Sequence, residues 1–308
     1  MSLWRYKYFH PRQAAQLQPL EVTVRGIVEG AYAGLHKSPH KGFSVEFAEH
    51  REYTPGDELK HLDWNVLART DRFYVKQFEQ ETNLRAMICL DCSGSMAFGN
   101  AQLPGPDGGI RHGITKYDYA SIMAACLSYL LAMQQDMVGL TAFDTQVRYM
   151  LPYGHGAGHL DQIFKHLERT QPASQTDTAA ALEQVAARIP RRGLVVVLSD
   201  LLDEPERIIH TLQRLRHGHH HVIVMQVLDR GELTLNHDRP VTFKDMEDQS
   251  QLTLDPKPLK AAYAQAMQDF LHLIHQRCGQ MRITHHVLET SVPWPQQLRK
   301  VLHLATRH

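Results

Sequence analysis

From residue 84 to the C-terminus, short runs of apolar residues alternate with longer stretches that have helical periodicity. Runs such as 86–90 (AMICL) and 194–199 (LVVVLS) are almost wholly apolar, which is typical of parallel strands buried on both faces. Alternation of such strands with helices predicts a doubly wound, mostly parallel sheet. We therefore expect an α/β fold that carries a small α+β extension at its N-terminus.

The predicted elements follow one another closely along the chain. We predict strands at residues 85–90, 137–143, 146–152, 194–199, 221–227 and 282–287. We predict helices at residues 117–133, 160–167, 177–189, 205–217, 258–277 and 295–304. In a strand order of 3-2-1-4-5, the strands that end near residues 91 and 200 are neighbours at the switch point of the sheet.

Composition excludes several classes of protein. The chain has 308 residues, of which 43% are hydrophobic, enough for one large core and a smaller appended region. Lys plus Arg and Asp plus Glu are equal at 33 each, so no net field draws the chain to nucleic acid or to an anionic membrane. No apolar stretch approaches the roughly 20 residues of a membrane span, and the first residues lack the apolar segment of a secretory signal. The four cysteines suggest no disulfide framework, so a reduced, cytoplasmic protein is expected.

Two regions are expected, an N-terminal region at residues 1–82 and the α/β domain at residues 83–308. In the first, we predict a helix at 20–34, strand-like pieces at 43–47 and 73–78 on either side of a turn at 54–57, and a short helix capped by Asp63.

Two insertions interrupt the α/β domain. Residues 98–115, rich in Gly and Pro, are predicted to be a mobile loop beside the strand end at residue 91. Residues 240–256 are predicted to be a hairpin whose strands pair with the N-terminal strands.

Five oxygen-bearing side chains lie where predicted strands end or helices begin. They are Asp91, Ser93 and Ser95 after the first strand, Thr176 at the start of a helix, and Asp200 after a later strand. The carboxyl ends of parallel strands are where open α/β sheets place their ligands. Carboxylate and hydroxyl oxygens suit a hard divalent cation. Asp177, next to Thr176, is predicted to act at the helix N-terminus and not as a ligand.

The pattern Asp-x-Ser-x-Ser, followed by the helix-opening Thr and the strand-terminal Asp, resembles the metal-ion-dependent adhesion site of von Willebrand factor A (vWA) domains. The resemblance implies that Ser93, Ser95 and Thr176 offer hydroxyls to Mg²⁺, with Mn²⁺ as a possible substitute. Asp91 and Asp200 would bind directly or through water. It also implies one open position, which the Asp or Glu of a partner protein would fill.

A second set of motifs resembles the signature of the DUF58 family. These motifs are residues 42–47 (GFSVEF), 51–58 (REYTPGDE), 61–64 (HLDW) and 73–79 (FYVKQFE). The resemblance implies a non-enzymatic adaptor that works with a MoxR-type AAA+ ATPase on an unidentified protein client. Many family members carry membrane helices upstream of the signature, and none is expected from the residues of this chain. It also lacks the phosphate loop G-x-x-x-x-G-K-[ST], so ATP hydrolysis would come from another protein.

Two enzymatic alternatives use the same residues. A Mg²⁺-dependent phosphohydrolase would use Asp91 as its nucleophile, but such enzymes generally have a carboxylate two residues later and a Lys near the phosphate. Position 93 is Ser in this chain, which argues against that mechanism. A serine hydrolase would need a G-x-S-x-G turn, which is not found at Ser93.

Other motifs favour structural interpretations. Cys89 and Cys92 form a C-x-x-C, but Cys89 is predicted to lie inside a buried strand, where cysteine behaves as a small apolar residue. The histidines at residues 217–221 mark a helix end and do not have the separated spacing of a zinc site. In the signature, Arg51 is expected to pair with Asp57 or Asp63 and Trp64 to fill the core, while the alternative makes this segment a recognition surface.

Overall fold

The structure is a computed structural model. It describes residues 6–33, 45–54, 62–70, 72–80, 84–104, 109–173, 175–190, 192–234, 241–244, 251–254 and 258–306. The chain divides into two compact units, a larger one formed by Met1–Leu35 with Leu84–His308 and a smaller one formed by His36–Asn83.

Twelve strands lie in the described part of the chain. They are β1 Val45–Glu52, β2 Tyr74–Gln80, β3 Arg85–Asp91, β4 Ala101–Pro104, β5 Ile110–Ile114, β6 Met137–Phe143, β7 Val147–Gly154, β8 Gly193–Ser199, β9 His220–Leu228, β10 Val241–Lys244, β11 Gln251–Leu254 and β12 Thr284–Glu289.

Ten α-helices accompany these strands in the same described ranges. They are α1 Pro11–Leu17, α2 Glu21–Ala33, α3 Trp64–Thr70, α4 Lys116–Met133, α5 Gly156–Arg169, α6 Thr178–Arg188, α7 Pro205–His217, α8 Arg230–Thr234, α9 Lys260–Gln280 and α10 Trp294–Ala305.

The larger unit contains a six-stranded sheet in the order β12-β9-β8-β3-β6-β7. Every pair in it is parallel except β6 with β7, which is antiparallel. This confirms the predicted α/β fold class and the predicted pairing of the two strands that end near residues 91 and 200. Those strands, β3 and β8, run in register from Ala86 opposite Leu194 to Leu90 opposite Leu198.

Both faces of the sheet are buried. Along β3, Ile88 and Leu90 belong to one hydrophobic cluster with α4 and α10, while Met87 and Cys89 belong to the other, with α6, α7 and α9. Successive side chains of a strand point to opposite faces, so a strand between two helical layers must be apolar at every position. This explains the uninterrupted apolar runs from which the sheet was predicted.

The N-terminal residues belong to this larger unit, although the sequence was divided at residue 82. Phe9 is fully buried and its ring stacks on that of Phe164 at 5.0 Å. The hydroxyl of Tyr8 donates to Asp118 of α4 at 2.8 Å. Helix α2 was predicted, and among its described side chains Val24 and Ile27 are buried, while Val22 is 79% exposed.

In the smaller unit, β1 and β2 pair antiparallel, as the two predicted strand-like pieces suggested. Asp63 caps α3, since its Oδ1 accepts a hydrogen bond from the backbone N–H of Val66 at 3.3 Å. The prediction that Trp64 fills the core is wrong, because its side chain is 65% exposed. The turn at 55–57 and the side chain of Arg51 lie outside the described residues, so the proposed pairing of Arg51 stays a prediction.

The two insertions differ from expectation. Strands β10 and β11 form the predicted hairpin, but they pair with each other and form a two-stranded sheet, while β1 and β2 form another. The expected pairing of this hairpin with the N-terminal strands is therefore wrong. The segment 98–115, predicted to be a mobile loop, contains the antiparallel pair β4 and β5. The amide of Lys116 donates to the carbonyl of Phe98 at 2.9 Å, which brings the two ends of this insertion together.

Candidate metal centre

Asp91 is the last residue of β3, and it is fully buried. Its Oδ1 accepts from the backbone N–H of Ser93 at 2.9 Å, and its Oδ2 accepts from the hydroxyl of Ser199 at 2.6 Å. Burial, together with the charge of Asp200, raises the pKa of Asp91 to about 7. Charging this carboxylate beside a second buried carboxylate therefore costs free energy.

Ser93 and Ser95 connect Asp91 to Asp200 through hydrogen bonds. A short 3-10 helix, Gly94–Ala97, follows Ser93 and presents Ser95 toward the end of β8. The hydroxyls of Ser93 and Ser95 are 3.1 Å apart, and Ser95 donates to Asp200 Oδ2 at 2.7 Å. The structure therefore brings Asp91, Ser93, Ser95 and Asp200 to one edge of the sheet, as the strand order predicted.

Thr176 lies in the segment that leads into α6. It is half-buried and immediately precedes Asp177, the N-cap of α6. The backbone N–H of Ala173, three residues earlier, donates to the carbonyl of Cys92 at 3.1 Å, which anchors this segment to the Asp91–Ser95 loop. Asp177 Oδ1 accepts from the amide of Ala180 at 2.9 Å, so its predicted role at the helix N-terminus is confirmed.

The sequence analysis missed a buried lysine at this edge. The ammonium of Lys116 donates to Asp200 Oδ2 at 2.7 Å and to Glu232 Oε1 at 2.5 Å, and the Lys116 side chain is fully buried. Burial lowers the pKa of Lys116, but the two carboxylates outweigh it and hold the pKa above its usual value. Lys116 is therefore a cation that directly contacts one of the predicted metal ligands.

Local sequence makes Lys116 the first residue of α4. Thr115 and Asp118 form a capping box at the start of α4, with Thr115 Oγ1 accepting from the Asp118 amide at 3.1 Å. Lys116 is then the first residue of the helix, where the macrodipole disfavours a cation. A lysine at this unfavourable position was the one sequence feature that could have indicated a special role for Lys116. Its partner Glu232 lies 116 residues away on α8, which no sequence pattern revealed.

The donor set fits a hard divalent cation. Asp91 and Asp200 are fully buried carboxylates, and the hydroxyls of Ser93 and Ser95 lie between them. Lys116 brings one positive charge to the three carboxylates of Asp91, Asp200 and Glu232. The cluster therefore retains an excess of negative charge that a divalent ion would balance. No group of three or more His, Cys, Asp or Glu side chains in the described ranges is arranged to hold a metal. The candidate site has only two carboxylates, so it depends on hydroxyl donors.

The other candidate motifs have structural roles. All four cysteines are buried and free, and burial raises the pKa of the Cys92 thiol to about 12, which is unsuited to thiolate chemistry. Among the histidines at residues 217–221, His220 is buried while His217 and His219 are exposed. His285 and His286 point oppositely, since their Nε2 atoms lie 3.0 Å from Gln226 Oε1 and 3.1 Å from Gln297 Oε1.

These features define a doubly wound α/β protein with a cluster of mostly buried oxygen side chains where the ends of β3 and β8 meet. The family described as "Protein of unknown function DUF58" matches residues 49–270 of the sequence. The chain belongs to the DUF58 family, as its signature motifs predicted. An uncharacterized protein of Mycobacterium tuberculosis is 28% identical over 261 residues, which cover 83% of this chain and 78% of that protein.

Some solved structures resemble part of this chain at low similarity. The conserved hypothetical protein BatB from Bacteroides thetaiotaomicron is 12% identical, with a TM-score of 0.46 over 73% of this chain and 98% of that one. The VWA domain of SpRpn10 is 11% identical, with a TM-score of 0.39 over 71% of this chain and 94% of that one. None of the helices in the described ranges is long and apolar enough to cross a membrane.

Proposed function

We propose that this protein is a non-catalytic, metal-dependent interaction module. In this proposal Asp91, Ser93, Ser95, Thr176 and Asp200 hold Mg²⁺, for which Mn²⁺ can substitute. The observation that supports it is the hydrogen-bonded convergence of Ser93, Ser95 and Asp200 beside the buried Asp91. Both oxygens of Asp91 already accept hydrogen bonds, which favours contact with the ion through water.

The ion would supply a Lewis-acidic position for a carboxylate oxygen from the Asp or Glu of a protein client. The chain's own residues would determine the charge that the client meets. Two carboxylates balance a divalent ion, and neutral hydroxyls complete the donor set without adding negative charge. A third carboxylate in place of Ser93 or Ser95 would strengthen metal binding but repel an acidic client.

The resemblance to the DUF58 family supports a MoxR-type AAA+ ATPase as the second partner. In this proposal the ATPase supplies the energy of nucleotide hydrolysis, and this chain presents the client. The task would be the assembly or maturation of a protein complex.

The proposal is tested by affinity capture from a native lysate, with and without EDTA. Asp91→Ala and Thr176→Ala should reduce capture of the ATPase or the client at least about tenfold, as EDTA does, because a lost metal contact costs more than about 1.4 kcal/mol. Asp269→Asn, on an exposed part of α9, is the charge-matched control and should capture normally. Circular dichroism establishes that each variant is folded. Capture that persists unchanged in EDTA and in both variants would contradict the metal-dependent contact.

A Mg²⁺-dependent phosphohydrolase is the second candidate, and Lys116 is the observation that favours it, because such enzymes place a lysine near the phosphate. Two observations oppose it. Asp91 is fully buried, and each of its oxygens accepts a hydrogen bond, which makes the carboxylate a weaker nucleophile. The Lys116 ammonium is already paired with two carboxylates. Phosphatase turnover in excess Mg²⁺ that Asp91→Asn abolishes would establish the enzyme in place of the adaptor.

A further inference from the structure

Asp200 Oδ2 accepts two hydrogen bonds in the candidate centre. It accepts hydrogen bonds from the Ser95 hydroxyl and from the Lys116 ammonium, both at 2.7 Å. A metal ion that binds this oxygen would lie beside the ammonium, and the two cations would repel each other strongly in a buried site. Lys116 and the ion are therefore competitors for the same carboxylate.

The Lys116 ammonium has a second ion-pair partner. Glu232 Oε1 lies 2.5 Å from Lys116 Nζ, so the ammonium can leave Asp200 and keep a charged partner. Glu232 is fixed for this purpose, because its Oε2 accepts from the Asp229 amide at 2.9 Å and its carbonyl accepts from Tyr263 at 2.7 Å. Thr290 in turn donates to Asp229 Oδ2 at 2.8 Å. Polar contacts thus hold Glu232 in position independently of Asp200.

We propose that Lys116 is an internal counter-cation that neutralises Asp200 when no metal is bound and is held by Glu232 when the metal is bound. Lys116 and Glu232 then set the metal affinity of the site without being ligands. This inference rests on the proposed function, since it presupposes the metal site. It assigns two positioning residues, on α4 and α8, which the motif Asp91 to Ser95 does not contain.

The inference predicts opposite effects for the two residues. Lys116→Met removes the competing cation, so Mg²⁺ and Mn²⁺ should bind about tenfold or more tightly. Glu232→Gln removes the alternative partner and leaves the ammonium on Asp200, so both ions should bind about tenfold or more weakly. Isothermal titration of each protein with MgCl₂ and MnCl₂ measures these changes. An ion pair that only stabilises the fold would lower the affinity in both variants or leave it unchanged in both.

A second readout separates a counter-cation from an ordinary ion pair. Without metal, Lys116→Met leaves Asp200 and Glu232 uncompensated, so its thermal midpoint should fall well below that of the wild type. Saturating Mg²⁺ should restore much of the difference, because the ion takes over the neutralisation of Asp200. A loss of thermal stability that is equal with and without Mg²⁺ would overturn the proposal. If Lys116→Met cannot be purified folded, Glu232→Gln decides alone, and unchanged or tighter binding by that variant overturns it.

Matched controls come from exposed ion pairs. Lys165→Met breaks the pair with Asp161, and Glu183→Gln breaks the pair with Arg214; neither should change metal affinity. Asp200→Asn distinguishes the two levels of the argument. Wild-type protein that binds neither ion, or binds them equally well after Asp200→Asn, refutes the proposed function itself. Binding that depends on Asp200 but is indifferent to Lys116 and Glu232 refutes only this inference.

Discussion

Charge is unusually concentrated at a few buried residues of this protein. Asp91 and Asp200 lie fully buried at adjacent strand ends, and the Lys116 ammonium that contacts Asp200 also contacts Glu232. Ionised groups in protein interiors are costly unless they are paired and hydrogen-bonded, so such a cluster persists only where the surrounding fold holds it. Every hydrogen bond that Asp91 accepts comes from an adjacent loop or strand end, which ties the site to the sheet.

Gly193 gives a residue-scale prediction about that sheet. It is the first residue of β8, its φ is 153°, and a Cβ there would lie 2.5 Å from the carbonyl oxygen of Arg85. Gly193→Ala should therefore lower the free energy of unfolding by about 2–4 kcal/mol. Gly158→Ala on α5 is the control, because no atom lies within 4 Å of the added Cβ, and it should be neutral or stabilising by about 1 kcal/mol at most. Urea denaturation measures both, and equal effects would show that backbone conformation at Gly193 is unimportant.

The individual elements of the sheet were predictable because each has a local pattern. Apolar runs identified β3, β6, β8 and β9, and 3.6-residue periodicity identified α6 and α7. The predictions failed for elements whose structure depends on a partner that is distant or equally short. The partner of the β10–β11 hairpin depends on where the chain places it, and the two short strands in the 98–115 insertion form only by pairing with each other.

Helix α6 offers a prediction at the scale of an element. Asp177→Ala removes the hydrogen bond to the Ala180 amide, so it should cost about 1 kcal/mol of unfolding free energy. Asp177→Asn keeps an N-cap acceptor and loses only the charge opposite Arg207, an exposed pair that contributes under about 1 kcal/mol. Asn should therefore be the milder substitution in chemical denaturation. An equal loss for both variants would assign the stabilisation to the Arg207 pair instead of the cap.

At the scale of the whole molecule, the N-terminal residues complete the larger unit. Tyr8, Phe9 and Leu17 join the same hydrophobic cluster as α4 and α10, although the signature motifs that follow them belong to the smaller unit. Residues 6–17 contain too few apolar residues for a clear periodic signal, so their packing against the distant helices α4 and α5 could not be foreseen. The boundary at residue 82 was placed by sequence pattern, whereas burial groups the first residues with the sheet.

Global stability should carry a pH signature from His285. Burial, with smaller effects of His275 and His286, lowers the pKa of His285 to about 3. Below the ordinary histidine pKa of about 6.5, His285 is protonated in the unfolded chain but stays neutral in the folded protein. The free energy of unfolding therefore falls as pH falls. The contribution is up to about 1.4 kcal/mol per pH unit between about pH 6.5 and pH 3.

The measurement compares urea unfolding of wild type and His285→Gln at several pH values from 8 to 4. The cost of the substitution should shrink steadily as pH falls below about 6.5, because the variant has no proton to exclude. His272→Gln, at an exposed position on α9, is the control and should follow the wild-type pH dependence. A cost for His285→Gln that is constant with pH would show that the pKa of His285 is the same in the folded and unfolded protein.

The sequence by itself determined the α/β class, the adjacency of the Asp91 and Asp200 strands, and the family, because periodicity, strand order and short motifs are local properties of a chain. Only the tertiary structure decided that Lys116 meets Asp200 and Glu232, that Trp64 is exposed and that the first residues pack against α4 and α5. Each of these depends on which distant surfaces come together. A side chain's chemistry is written in the sequence, but its neighbours and its burial are set by the fold.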